Sequence, residues 1–466
     1  MEDDTIIGNN SEMDSSRPIP RPHLAVTLPE ILHEIASFLP TYDLHKHVTL
    51  VSRGWEDAAR KQLLARVLVD LTPKNMAGYL ELAKIRGNHH KRVCLSYLNF
   101  ENLSPEESKL LENFTFTGTP PITELRLDYF PHEWSIHPSV LTLFSHCPRL
   151  QFVSFSPKAF TLPTIKSPLP KDISFLKVVA FGISLPANNS KFSGLSLTNF
   201  LRLVSVFPNL KILQGRTLPH NVLEYFLSNT GSIREVSVWL NNTDGPFSIQ
   251  KPSLFLTRIE LQVGTLSNMR NCNVLMATFA GQVEKLKLTA ECNLPWEEFN
   301  WQQCFLTINK LPRVLSKLKW LEIGVPRCSN NKGNVKKVPA LGLMFPENLV
   351  YSRQFPALEK FVVSDRCGMR YMSHEEIEEE EWFEICAGFL DKYFLRGECL
   401  MVRDVRIPLP PGERVGFGLF QKLGGDENKV NSELVDCSDF FQRIATTFPN
   451  LGWEMFDGVG DSERVE

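Results

Sequence analysis

One short pattern recurs down most of this chain and limits what it can fold into. Hexads of the form Leu-x-x-Leu-x-Leu, or close variants, stand at 122–127, 150–155, 176–181, 233–238, 256–261, 283–288, 318–323 and 358–363, with shorter or weaker copies at 93–98, 210–213 and 402–407. Apolar side chains at alternate positions mark a strand with one buried face. Many copies follow an amphipathic helical stretch, as at 140–147, 197–207, 222–229, 274–280 and 382–394. The junction from helix to strand recurs as well: Cys147-Pro148-Arg149-Leu150, Phe207-Pro208-Asn209-Leu210, Phe355-Pro356-Ala357-Leu358 and Phe448-Pro449-Asn450-Leu451. Proline suits a helix exit because it has no N–H to continue the hydrogen-bond ladder.

This grammar resembles a degenerate leucine-rich-repeat array, whose repeats run about 20–29 residues. The starts at Leu210, Ile233 and Leu256 are 23 residues apart, whereas Leu318 and Leu358 are 40 apart, and the asparagine that closes the usual repeat is mostly missing. The resemblance therefore implies an irregular α/β leucine-rich-repeat-like solenoid over 72–456 rather than an even horseshoe. In such an array the positions between the strand leucines face outward on the concave sheet. That nominates Glu124, Arg126, Trp239, Arg258 and Glu260, with Lys285, Lys287, Trp320, Glu322 and Lys360, as a surface for a protein partner. Two tryptophans among mixed charges have the composition of an interaction hot spot.

The N-terminal part is written differently. Leu28, Ile31, Leu32, Ile35, Ala36 and Leu39 fall at helical spacing, Pro29 suits a first helical position and Glu30 suits the positive end of the helix dipole. Pro40 ends that helix; Thr41 is placed to cap a second, with Leu44, Val48 and Val51 on one face. Ser52 and Gly54 supply a turn before a third helix carrying Trp55, Ala58, Ala59 and Leu63. Fewer than fifty residues cannot bury all of this apolar surface among themselves, so some of it is expected to meet another surface.

The ordered set Leu28-Pro29, Ile31, Leu32, Ile35, Leu39, Asp43-Leu44, Val48, Val51-Ser52, Trp55 and Ala59 resembles the F-box, the helical module that docks on the Skp-type adaptor of cullin–RING ubiquitin ligases. The likeness covers 24–71. It implies that Leu28, Pro29, Ile31, Leu32, Ile35, Leu39, Leu44, Val48, Val51 and Trp55 divide between the module's own core and the adaptor interface. It further implies a fold class of α+β overall: a small three-helix F-box, then the repeat-like solenoid, between tails at 1–23 and 457–466. The partners implied are the Skp-type adaptor, through it a cullin, and a protein to be ubiquitinated. An F-box protein that uses the adaptor outside the cullin ligase, in assembly or trafficking, is the alternative.

Composition removes other classes. A net charge of −3 over 466 residues argues against a protein built on phosphate contacts to nucleic acid. No window approaches the apolar length of a membrane span, and no signal peptide is visible, so a soluble protein of cytoplasm or nucleus is expected. The ten cysteines show no zinc spacing and read as reduced thiols, with Cys147, Cys272, Cys386 and Cys399 as small buried residues. Gly416-Phe417-Gly418 lacks the third glycine of a dinucleotide loop, and neither a phosphate-binding loop nor a nucleophile elbow occurs. His374-Glu375 lacks the second histidine of a zinc-protease helix, and His45 and His47 point different ways from one helix. Neither an enzyme nor a cofactor is expected. The glutamates of 375–381, with Ser373 and Glu376 as a capping box, are read as a helix start before Trp382.

Overall fold

The computed structural model describes residues 28–86, 90–98, 104–116, 121–130, 138–157, 175–184, 204–240 without 217, 219 and 230–231, 247–263 without 250–251, 266–290, 314–324, 345, 349–364, 379–407 and 438–451. The chain divides into two compact units, Met1–Val67 and Leu68–Glu466. The tails expected at 1–23 and 457–466, the capping box at 373–376 and the glycines at 416–418 lie outside the described residues.

The first unit holds α1 (Pro29–Phe38), α2 (Thr41–Lys46), a single 3-10 turn (Val48–Leu50) and α3 (Arg53–Arg66). Pro29 opens α1 as its spacing suggested. Thr41 does not cap α2: Pro40 holds the cap position, and its carbonyl accepts from Leu44 N at 3.0 Å. Ser52 is the true cap, its hydroxyl accepting from Trp55 N at 3.4 Å at the start of α3.

The second unit runs β1 (Leu68–Leu71), α4 (Met76–Arg86), β2 (Arg92–Ser96), α5 (Pro105–Phe116), β3 (Glu124–Phe130), α6 (Pro138–Ser145), β4 (Phe152–Pro157), β5 (Ala180–Ser184), β6 (Ile212–Arg216) and α7 (His220–Asn229). It continues with β7 (Glu235–Leu240), β8 (Arg258–Val263), α8 (Leu266–Phe279), β9 (Lys285–Ala290), β10 (Trp320–Gly324) and α9 (Tyr351–Gln354). The last elements are β11 (Lys360–Ser364), α10 (Glu379–Tyr393), β12 (Asp404–Arg406) and α11 (Ser438–Thr447). All twelve strands form one sheet in chain order, and every neighbouring pair is parallel.

That sheet corrects the expected fold class. The described chain is α/β, twelve parallel strands with helices interleaved between them, and neither a three-helix F-box nor a solenoid describes it. Helices recur between strands along the chain rather than standing apart from them, which is what separates α/β from α+β. Leu68–Leu71, the last residues of the stretch that resembles the F-box, form β1 and pair with β2 in register Leu68↔Arg92 to Leu71↔Leu95.

The strands also begin about two residues later than the leucine hexads suggest. The leading apolar residue belongs to the turn: Leu150 N bonds to Cys147 O, Leu210 N to Phe207 O, Leu318 N to Leu315 O and Leu358 N to Phe355 O, at 2.9–3.2 Å. Each of these leucines is buried. The hexad thus encodes a buried turn followed by a strand. Along each strand one set of side chains enters a core shared with the helices, where Val153, Phe155, Phe181, Leu286 and Leu321 meet Phe144, Phe226, Met276 and Phe389. The alternate set forms the sheet's other face, and it carries the candidate substrate residues.

Candidate functional site

The helical unit has a small core of Leu32, Ala36, Leu44, Val48, Ala58 and Ala59, with Leu39, Trp55 and Leu63 packed at its margin. At Gly54 the start of α3 comes so near α1 that an added Cβ would lie 3.2 Å from Leu32 Cδ1. At the other end of α3, Arg66 reaches across to α1: one terminal nitrogen donates to Leu39 O at 2.6 Å, the other to Ser37 O at 2.7 Å and Ala36 O at 3.4 Å. A guanidinium there satisfies helix-end carbonyls that have no partner in their own helix and carry the negative end of the dipole.

Of the ten residues expected to serve the adaptor, Leu32, Leu44 and Val48 are therefore interior, while Leu39 and Trp55 are partly buried. Leu28, Pro29, Ile35 and Val51 are exposed, and Ile31 is half-buried. Phe38, Tyr42 and Leu50 were not among the ten, yet they are 78%, 60% and 81% exposed. The signal was present along α1 and its caps, where Leu28, Ile31, Ile35 and Phe38 share one helical stripe beside the stripe of buried Leu32 and Ala36 and partly buried Leu39.

The outer face of the sheet is built in rows by its register. One row runs Glu235↔Arg258↔Lys285↔Trp320↔Lys360↔Asp404 across β7 to β12, and the next runs Ser237↔Glu260↔Lys287↔Glu322↔Val362↔Arg406. The charges largely answer one another. Lys287 Nζ lies 3.2 Å from Glu260 and 3.0 Å from Glu322, and Glu322 also accepts from Ser364 Oγ at 3.2 Å. Lys360 meets Asp404 at 2.5 Å, and Arg258 meets Glu235 at 3.4 Å. Near the other end, Glu124 takes Arg92 at 2.7 Å and Arg126 at 2.6 Å. Trp239, Lys287 and Glu322 are buried, so they hold the surface up rather than offer area. Glu124, Arg126, Arg258, Glu260, Lys285, Trp320 and Lys360 keep some exposure. Glu235, Asp404 and Arg406 were missed, though they occupy equivalent alternate positions.

A second cluster joins β1 to β3. Ser96 Oγ donates to Asp70 Oδ1 at 2.6 Å, and Cys94 Sγ lies 3.3 Å from Ser96 Oγ. Burial, with Asp70 close by, raises Asp128 above the ordinary carboxylate range, while the thiol of Cys94 and the charge of Arg126 oppose that shift. Burial likewise pushes the Cys147 thiol up to about 12 and raises those of Cys94 and Cys272. Thiols held protonated in this way are poor nucleophiles. Among the described residues no group of His, Cys, Asp and Glu is arranged to hold a metal, and no helix is long and apolar enough to cross a membrane. An open hollow lined by Leu395, Gly397, Glu398, Arg443, Thr446 and Thr447 has its arginine tied to Asp391 at 2.5 Å.

No protein-family model matches the chain, and no curated protein matches it either.

Proposed function

We propose that this protein is the substrate receptor of a Skp–cullin–F-box ubiquitin ligase: the helical unit docks on the Skp-type adaptor, and the outer face of the sheet holds the protein to be ubiquitinated. One observation carries the reading. A unit whose own core is six small-to-medium side chains leaves Leu28, Ile35, Phe38, Tyr42, Leu50 and Val51 exposed. Six bare apolar side chains on so small a module are more than isolated exposed residues require, and such an excess is expected of an interaction site. Burying such a side chain fully contributes about 1.5–3 kcal/mol, so several of them offset an association cost of about 4–15 kcal/mol. The F-box resemblance of the same stretch supplies the identity of the partner. The receptor does its work by placement, raising the effective concentration of target beside the ubiquitin-loaded enzyme.

Affinity purification of the full chain, with cullin and proteasome activity blocked, tests this. Wild type is expected to retain adaptor and cullin together. The double variant Phe38→Ala with Leu50→Ala, whose side chains contribute nothing to the core, is expected to lose both while keeping its melting temperature. Retention of adaptor by that variant and by Leu28→Ala with Pro29→Ala would refute the reading. Adaptor without cullin would move the protein to a role outside the ligase.

A further inference from the structure

On the outer face of the sheet one cation stands apart. Lys287, Lys360, Arg258 and Arg406 each have a carboxylate within 4 Å. Lys285, between Arg258 on β8 and Trp320 on β10, has none among the described residues; its ammonium sits 3.5 Å from the centroid of the Trp320 ring. Lys360 approaches the same ring from the next strand at 4.6 Å. Among the described residues the buried Trp320 N–H has no acceptor. A cation without a carboxylate, beside four described cations that each have one, leaves an unfilled demand for anionic oxygen.

The local chemistry agrees. Partial burial pulls the Lys285 amine below its ordinary value, against the raising influence of Glu322 and Glu235, and Arg258 and Lys287 add to the lowering. An anionic group arriving at Lys285 relieves that repulsion. Arg258, more than half exposed and held to Glu235 only at 3.4 Å, is free to swing toward the same group. The half-buried Trp320 ring offers a neighbouring apolar side chain something to pack on.

We propose that Lys285 and Arg258, with Trp320 beside them, are the point at which this face selects its partner: an extended protein segment bearing a carboxylate or phosphate side chain on Lys285 and an apolar residue against the indole. This deepens the receptor reading and rests on it for the identity of the partner as a target protein. The charge match, rather than apolar area, commits the surface to an anionic segment.

The test is fluorescence anisotropy on the full chain with four probes: a glutamate-rich peptide, its glutamine counterpart, the glutamine peptide carrying one phosphoserine, and inorganic phosphate as competitor. At least one anionic peptide should bind and the glutamine peptide should not; which one binds identifies the source of the anion. Lys285→Met, which keeps the apolar stem, should weaken binding about tenfold or more, as expected for loss of a charge-assisted contact. Arg258→Met should weaken it less, and Lys319→Met, which removes an exposed cation outside the row, should leave it unchanged. Melting curves for each variant separate loss of binding from loss of fold. Equal binding by wild type and Lys285→Met, equal binding of the neutral peptide, or no binding of either anionic peptide overturns the proposal. Adaptor capture is measured on the same samples: if it fails while anion binding persists, the receptor reading falls and the recognition point stands.

Discussion

On the helical unit, Phe38, Tyr42, Leu50 and Val51 offer grease with little structure behind it. On the sheet, Lys287, Glu260 and Glu322 form an ion triad, Lys360 closes on Asp404, and Glu124 is shared by two arginines. The first surface gains free energy from whatever apolar shape fits it; the second gains little from contact and rejects most partners by mismatch. Under the proposed receptor reading, affinity and selectivity fall to different parts of the chain, because buried apolar area drives association whereas matched charge mainly sets specificity. The sharpest contrast lies within one row spacing of the sheet: Lys287 is buried between two glutamates, while Lys285 has no carboxylate within 4 Å among the described residues.

Substitution at those two lysines is the strongest way to break the comparison. Lys287→Met leaves Glu322, itself nearly buried, without its cation. Removing one partner of a buried ion pair costs about 3–5 kcal/mol, and Lys287→Met combined with Glu322→Gln should restore much of it. Lys285→Met forfeits a partly buried cation–π contact of about 1–2 kcal/mol. Urea unfolding of the three variants checks the order. Equal destabilisation by the two single changes would show that the face is not divided into scaffold and contact residues.

The same division applies to the helical unit. Leu32→Ala, at a core position touched by the start of α3, should cost about 2–5 kcal/mol, while the exposed Phe38→Ala should stay within about 0.5 kcal/mol. Thermal or chemical melts followed by far-UV circular dichroism distinguish them. A large loss from Phe38→Ala would mean that its ring stabilises the fold and is not reserved for a partner.

How far the sequence foretold all this depends on what each signal measures. Period-two alternation separated Leu125 and Val153 from Glu124 and Arg126, because strand geometry fixes which face a side chain takes. It could not say how deep a position lies: Trp239 and Trp320 occupy the same face, yet Trp239 is buried and Trp320 is half-exposed. Nor could it place strand starts, since a leucine in a proline turn and a leucine in a strand are equally buried. β1 escaped notice because Leu68–Leu71 is only four residues long and is defined by pairing with β2, a contact distant in sequence. Lys285 could be nominated, but its missing counter-ion depends on which carboxylates the register brings beside it.

Arg66 offers a smaller effect with a clear direction. Arg66→Met keeps the side-chain length and leaves the carbonyls of Ala36, Ser37 and Leu39 to solvent, at a cost of about 1–3 kcal/mol. Because these contacts set α3 against the end of α1, the variant should also weaken adaptor capture although Arg66 need not touch the adaptor. Rescue of the melting temperature without rescue of capture, by Arg66→Lys, would show that the fork geometry of the guanidinium sets the angle of the exposed stripe.

The last and smallest effect concerns Asp128. Its carboxyl titrates above the ordinary value in the folded chain, chiefly through burial. A folded state that holds its proton more tightly than the unfolded chain is favoured at low pH, so this group's contribution is complete below the unfolded value and falls away as pH rises through the folded one. Asp128→Asn removes the charge that burial disfavours. The variant should match wild type in acid and exceed it in stability at neutral pH, with the gap opening over the interval in which the folded carboxyl ionises. Melting temperatures of both proteins across that interval decide the point. A constant gap would assign the effect to a lost hydrogen bond with Cys94 rather than to ionisation. A variant less stable at neutral pH would show that the carboxylate, close as it is to Arg126, is a needed member of the charged face and not a strained one.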